Sequence, residues 1–124
     1  ASKDLAVKIG FSKDNKEVDV FAQIMGTLAV NHPQYMLDYL EDVKLGRALI
    51  ISFFTKHNIP YLAGAGNFIL FKVAKPFEVE QGLISQNIFI RNRTEVTNLE
   101  GYLRVTLGGE AVMRQFTSAL ELLV

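Results

Sequence analysis

Two arginines in the last third of the chain have the residue type and the setting to bind a charged ligand. Arg104 lies within the alternating run YLRVTL, and Arg91 ends the run IFIR thirteen residues earlier. A guanidinium group forms a two-pronged pair with a carboxylate or a phosphate, so two such groups at one rim could bind an anionic substrate. The strand pattern alone favours arginines that point into solvent, and a position facing a cleft is the alternative.

Other residue types give weaker signals. His32 and His57 are the two histidines, each near a predicted helix end, where an exposed cap or a partner for the helix dipole is the simpler interpretation. Gly64-Ala65-Gly66 and Gly108-Gly109 lack the Gly-Lys-Ser/Thr signature of a phosphate loop and are interpreted as turns. The second pair could also place free helical N–H groups near an anion. The chain has no cysteine, which excludes disulfides and thiolate metal sites, and its two histidines are too few and too far apart in sequence to predict another metal site.

The composition limits the kinds of partner. The 124 residues are 49% hydrophobic, and 13 basic residues balance 13 acidic ones. Zero net charge gives no bulk attraction to nucleic acid or to an acidic membrane surface, and it favours self-association. The longest apolar run, Ala48 to Phe54, is far shorter than the roughly 18 residues of a membrane span. We therefore expect a cytoplasmic domain that forms homo-oligomers and binds neither nucleic acid nor membrane.

The spacing of apolar residues divides the chain into an N-terminal arm, residues 1–17, and one domain, residues 18–124. In the arm, the alternation from Leu5 to Phe11 predicts a short edge strand, with a loop from there to Glu17. In the domain, apolar spacings of three and four predict helices, and runs rich in β-branched and aromatic residues predict strands. The predicted helices span 18–30, 34–57, 76–86 and 110–123, and the predicted strands span 67–73, 88–91 and 102–107.

These elements predict an α+β fold. A loop without a helix joins strands 88–91 and 102–107, so they should be antiparallel neighbours in a small, mostly antiparallel sheet. The helices should pack on one face of that sheet. The residues that the last helix should turn inward are Val112, Phe116, Ala119, Leu120 and Leu123.

Several stretches taken together resemble the closing third of fold-type I pyridoxal-phosphate aminotransferases, most of all the histidinol-phosphate type. They are NFILFKV at 67–73, NIFIRNRT at 87–94 and LEGYLRVTLG at 99–108, and the resemblance extends back to VFAQIMGTL at 20–28. It implies the small-domain fold of that family. It also implies that Arg104 binds the α-carboxylate of the substrate and that Arg91 is associated with the substrate phosphate. The resemblance therefore favours a cleft-facing Arg104.

The opening of the chain resembles the lysine segment of the same family. The matching stretches are Ser2-Lys3-Asp4-Leu5-Ala6 and Lys8-Ile9-Gly10-Phe11. The resemblance places Lys3 where the Schiff-base lysine stands and Lys8 where an arginine binds the cofactor phosphate. The spacing between these two points is shorter than in the family, so a chance or remodelled N-terminus is the alternative.

The family's large domain, which supplies most of the cofactor pocket, has no counterpart in this sequence. A cofactor needs a protein that positions and tunes it, so we expect the parent enzyme, and not this chain alone, to bind pyridoxal phosphate. The expected partner is a large domain or a second chain of an aminotransferase. The alternative is a stand-alone binding or self-association module. Burial of Phe21, Ile24 and Met25 within one chain would mark a complete monomer, and a place between chains would favour the module.

Overall fold

The computed structural model describes Ser2, Lys3, Leu5 and residues 18–124. The chain divides into two compact units, residues 1–36 and residues 37–124. Most of the predicted arm strand and its loop lie outside the described residues. Leu5, where that strand is predicted to begin, has helical backbone, so the prediction is wrong at this residue. The physical reason is the hydroxyl of Ser2, which accepts a hydrogen bond from Leu5 N–H at 3.3 Å, in the manner of a helix cap.

Helix α1, Val20–Asn31, belongs to the first unit. Its N-cap is Asp19, whose carboxylate accepts a hydrogen bond from the N–H of Ala22 at 2.8 Å. The helix ends as predicted before His32-Pro33, because the residue that precedes a proline avoids the helical region. The predicted helix is therefore confirmed, with its start two residues later and its end one residue later.

Helix α2, Gln34–Lys56, begins in the first unit and continues through the second. Its 23 residues correspond to about 35 Å at about 1.5 Å per residue. Ile50 and Phe54, one turn apart on the helix, are fully buried. Gly46 lies so close to the chain before the last helix that a Cβ there would stand 2.3 Å from the carbonyl oxygen of Gly108. Within the described residues, no helix is both long and apolar enough to cross a membrane.

The second unit contains a four-stranded antiparallel sheet with the order β1-β2-β4-β3. The strands are β1 Tyr61–Ala63, β2 Phe68–Lys72, β3 Arg91–Asn92 and β4 Tyr102–Thr106. The predicted antiparallel pairing of the last two strands is confirmed. The sequence gives no sign of β1, because three residues between a proline and a glycine-rich turn are too few to show a period.

Strand β3 is shorter than its predicted span of 88–91. Asn87 has a positive φ of 59°, and the N–H of Ile88 donates to the carbonyl of Leu83 at 2.9 Å. Both features belong to the exit from helix α3, Pro76–Ile84, and they are typical of a left-handed helix cap. The chain therefore joins the sheet only at Arg91.

One core lies between the sheet and helices α2, α3 and α4, the last spanning Glu110–Glu121. Alternate residues of β2 and β4 point into it, as the pleat of a strand requires. The core includes Ile69, Phe71, Leu103 and Val105 of the sheet, Ile50 and Phe54 of α2, Val79 and Leu83 of α3, and Phe116 and Leu120 of α4. The ring of Phe71 stacks on Phe54 with centroids 5.1 Å apart and meets Phe116 edge-on at 5.9 Å. Because all three helices meet the same face of the sheet, the predicted α+β fold is confirmed.

The inward face of α4 differs from its prediction at one position. Val112 is 55% exposed, whereas Met113 is buried. Met113, Phe116 and Leu120 recur at spacings of three and four, which places them on one helical face and leaves Val112 beside it. The other four residues that were predicted to face inward are buried or half-buried.

The N-terminus of α4 is capped from another helix. Its N-cap residue, Gly109, has no side chain, and the carboxylate of Asp42 in α2 accepts a hydrogen bond from the N–H of Glu110 at 3.0 Å. A Cβ on Gly109 would fall 1.8 Å from Asp42 Oδ2. The anion at this helix start is therefore a carboxylate of the chain itself, which interacts favourably with the helix dipole.

Candidate functional site

The face of the sheet opposite the core carries the two arginines that the sequence singles out. We call it the outer face, and its residues are Phe68, Leu70 and Lys72 of β2, Arg91 of β3, and Tyr102, Arg104 and Thr106 of β4. These side chains are exposed or half-buried, whereas their neighbours in β2 and β4 are buried. The helices α2, α3 and α4 bury their apolar residues against the other face. The outer face is thus the part of the sheet that is open to a ligand.

The strand register brings Arg91 and Arg104 together. The two residues are direct partners across the β3–β4 ladder. Directly opposite residues point to the same face, with their Cβ atoms about 4.5–5.5 Å apart. The spacing in the sequence predicts only that the two arginines lie at the same rim of the sheet. The structure shows that they are direct cross-strand partners.

This pairing places two positive charges side by side. Like charges directly opposite each other destabilise a sheet. No carboxylate among the described residues forms an ion pair with Arg91 or Arg104, although Arg114 is paired with Glu110 and Lys75 with Glu78. The outer face also carries Lys72 and has no aspartate or glutamate. A bound anion would relieve the repulsion, so the face has the electrostatics of an anion site.

The surroundings of Arg104 restrict its guanidinium group. Its Cζ lies over the ring of Phe68, 5.3 Å from the centroid. Its Nε is buried and has no hydrogen-bond partner among the described residues. Leu70 is its direct partner across the ladder with β2, so the floor beneath the side chain is apolar. The guanidinium is therefore held against the sheet, and its hydrogen-bonding capacity is left for a ligand.

Two other cations of the second unit have structural partners. The Nη2 of Arg47 donates a hydrogen bond to the carbonyl of Gly64 at 2.7 Å and holds the turn before β2. The Nζ of Lys72 lies over the ring of Tyr102, 5.6 Å from its centroid. These contacts link the β1–β2 turn to α2 and the end of β2 to the start of β4.

The two histidines lie where the sequence predicts, at helix ends. His32 is the C-cap residue of α1. His57 follows the last residue of α2, stacks on Phe53 with ring centroids 4.3 Å apart, and has its Nε2 3.5 Å from a carboxylate oxygen of Glu121. It therefore connects the end of α2 to the end of α4. Within the described part of the chain, no three His, Asp or Glu side chains converge as metal ligands would.

Of the two lysines suggested for cofactor binding, one lies in the described part of the chain. Lys3 is exposed, and Lys8 lies outside the described residues. Schiff-base lysines are activated by desolvation or by a neighbouring cation. Lys3 is exposed, so desolvation does not activate it. The outer face offers cations for an anionic group but no acid for the ring nitrogen. The described residues therefore suit an anionic ligand group better than a complete cofactor.

Curated relatives of the chain are histidinol-phosphate aminotransferases. One from Paenarthrobacter aurescens (strain TC1) is 29% identical over 103 residues, which cover 82% of this chain and 27% of that enzyme. Another, from Caldicellulosiruptor saccharolyticus, is 26% identical over 122 residues, which cover 98% of this chain and 34% of that enzyme. This chain therefore corresponds to about a third or less of the length of these relatives. No family model matches the chain.

A solved structure gives the same picture for the fold. The crystal structure of the histidinol-phosphate aminotransferase from Clostridium acetobutylicum matches 98% of this chain with a TM-score of 0.80 and 21% sequence identity. The matched part is 38% of that enzyme. At this identity the likeness shows the fold. The chain thus resembles part of a histidinol-phosphate aminotransferase in sequence and in fold, as its motifs predict.

Proposed function

We propose that this chain is the small-domain part of a pyridoxal-phosphate aminotransferase that acts on an amino acid or a phosphorylated amino alcohol. Its outer face binds the anionic groups of the substrate. Arg104 binds the α-carboxylate, and Arg91 binds a phosphate or a second carboxylate. The observation that carries the proposal is the direct cross-strand pairing of these two arginines on a face without acids.

The arginines act by binding and orienting, and neither takes part in bond making. A guanidinium offers two parallel N–H donors to a carboxylate, which fixes the plane of the bound group as well as its position. Two anchors on one substrate also fix its direction. In the parent enzyme the cofactor supplies the electron sink for the chemistry on the amino group. The contribution of this chain is the orientation that brings the substrate to it.

The surface of α1 supports the need for a further body. Phe21, Ile24 and Met25 are between about half and three quarters exposed. Met25 also lines an apolar groove of about 290 Å³ in the first unit, together with Leu28 and Tyr35. Contiguous apolar surface of this kind marks an interaction site. We infer that the large domain of the enzyme, or a partner chain, covers it, and that the assembled enzyme is a cytoplasmic homo-oligomer.

The same exposed surface is also the observation that favours the alternative function. A stand-alone module could use the apolar face of α1 for self-association, because the chain has no net charge to oppose it. Such a module would have no use for two unpaired arginines on the outer face. The anion site therefore distinguishes the two functions.

The proposed function is tested by binding of a small double anion to the 124-residue chain. We choose 3-phosphonopropionate, which has a carboxylate and a phosphonate on one short chain, and follow the titration by NMR on ¹⁵N-labelled protein. Arg104→Lys keeps the charge but loses the fork of donors. We expect it to weaken binding about tenfold, the effect of about 1.4 kcal/mol, and Arg91→Lys to weaken it somewhat less, because Arg91 is more exposed.

The matched control is Arg114→Lys, on the surface of α4, where the arginine is paired with Glu110. It should leave the affinity unchanged. If the control weakens binding as much as Arg104→Lys does, or if the probe does not bind the unmodified chain, the outer face is not an anion site and the proposal fails.

A further inference from the structure

Phe68 is an exposed aromatic residue with a specific neighbour. It begins β2, points to the outer face and is 39% exposed. Its ring lies diagonally across the β2–β4 ladder from Arg104, whose Cζ is 5.3 Å from the ring centroid. A guanidinium within about 6 Å of a ring centroid is attracted by the ring's negative face.

The core does not depend on this ring. The apolar residues of β2 that pack against the helices are Ile69 and Phe71, which are fully buried. Phe68 has the opposite orientation, and its burial on the outer face is only partial. Its ring lies against the turn before β2, since a Cβ on Gly66 would stand 3.4 Å from Phe68 Cε1. That turn is held by the hydrogen bond from Arg47 to Gly64. The ring is therefore held in place on a surface where packing does not require an aromatic residue.

Arg104 needs such a support. An arginine side chain has several rotatable bonds, and ordering it on binding costs conformational entropy. No hydrogen bond from a described residue fixes its guanidinium, and its Nε has no partner there. The ring of Phe68 is thus the contact that the described structure gives for the guanidinium.

We propose that Phe68 is the positioning residue for Arg104. Its ring holds the guanidinium on the outer face with the donor edge directed to the bound anion. This inference rests on the proposed function, since it takes Arg104 as the anion-binding group. It assigns the role to an aromatic ring at position 68, so that a ring of similar size should replace Phe68 and an aliphatic residue should not.

The test compares Phe68→Leu with Phe68→Tyr in the full 124-residue chain, again with 3-phosphonopropionate as the probe. Leucine keeps an apolar side chain of similar bulk but has no ring face. We expect Phe68→Leu to weaken binding about two- to fivefold, the range for an exposed cation–π contact. Phe68→Tyr should bind as tightly as the unmodified chain. The resonance of the Arg104 Nε–H group adds a readout that does not need ligand. The ring should shift it in the unmodified chain and in Phe68→Tyr, and the shift should disappear in Phe68→Leu.

A double-mutant cycle with Arg104→Gln, which removes the cation, separates the possible failures. If Phe68→Leu weakens binding by the same factor in the Arg104→Gln background, the ring acts independently of the arginine, and the inference is wrong while the proposed function stands. If Arg104→Lys itself has no effect on binding, the proposed function fails and the positioning role fails with it. Phe77→Leu, at an exposed phenylalanine of α3, is the matched control and should change neither the affinity nor the Arg104 resonance.

Discussion

At the scale of single residues, the arginine pair shows a conflict between stability and binding. Arg91 and Arg104 face each other across two strands, and no acid of the described residues neutralises them. A sheet selected only for stability would place a glutamate opposite Arg104. Under the proposed function, a bound anion would remove this repulsion, so the site would be preorganised for its ligand at the expense of the free fold.

This conflict predicts that neutralising one arginine stabilises the free chain. Arg91→Gln should raise the free energy of unfolding by about 0.2–1 kcal/mol at low salt, the range for cross-strand charge pairs. Urea unfolding at two ionic strengths measures it. The gain should shrink at high salt, because Arg91 is exposed and its interactions are screened.

Arg114→Gln is the control for this stability measurement, because it removes an arginine that has a carboxylate partner. It should be neutral or slightly destabilising under the same conditions. A loss of stability in Arg91→Gln at low salt would show that the two guanidinium groups do not repel each other in the free chain.

At the scale of elements, the cap on α4 connects two parts of the chain that are far apart in sequence. The carboxylate of Asp42 accepts a hydrogen bond from the N–H of Glu110, 68 residues later in the chain. Gly46 and Gly109 allow the approach, since side chains there would collide with Gly108 and Asp42. The cap and the two glycines therefore bring α2 against the start of α4, next to the core beneath the sheet.

Removing the cap should cost about 1 kcal/mol, because a lost N-cap acceptor leaves helical N–H groups unsatisfied. The change is Asp42→Ala, and denaturant unfolding of the 124-residue chain measures it. Asp42→Asn keeps an acceptor oxygen and should recover most of the loss. The control is Glu41→Ala, at the residue before Asp42, which removes an exposed ion pair with Lys44. It should change the free energy of unfolding by no more than about 0.5 kcal/mol. Equal losses for Asp42→Ala and Glu41→Ala would mean that the cap does not stabilise α4.

The same elements show what the sequence can and cannot predict. The long helices and the strands β2 and β4 have local periods, so their existence and the α+β class follow from spacing. The predicted strand 88–91 shares only Arg91 with β3, because the left-handed cap at Asn87 is a conformation that hydrophobic runs do not encode. Asp42 gave no signal, because a cap between distant segments depends on the packing of two helices. The sequence predicts only that the two arginines share a rim, because their exact cross-strand register depends on where the ladder begins.

At the scale of the whole molecule, two surfaces of the described chain are open to further contacts. The first unit exposes the apolar side of α1, and the sheet of the second unit exposes two unneutralised arginines. The chain also corresponds to between a quarter and two fifths of the enzymes that it resembles. A further body that covers the first surface and a substrate that binds the second would complete it.

The proposed function, in which this chain is one part of an enzyme, predicts that the chain alone forms no specific Schiff base with pyridoxal phosphate. A catalytic lysine is desolvated or lies beside another cation, and Lys3 is exposed. The outer face lacks an acid to pair with the ring nitrogen of the cofactor. Titration followed by the absorbance of the Schiff base should therefore show only slow, non-saturating modification, shared by exposed lysines such as Lys44. Lys3→Ala should change it no more than Lys44→Ala does. A saturable, stoichiometric band that Lys3→Ala abolishes would instead make the chain a cofactor-binding protein in its own right, and the partner that we infer for α1 would not be needed for cofactor binding.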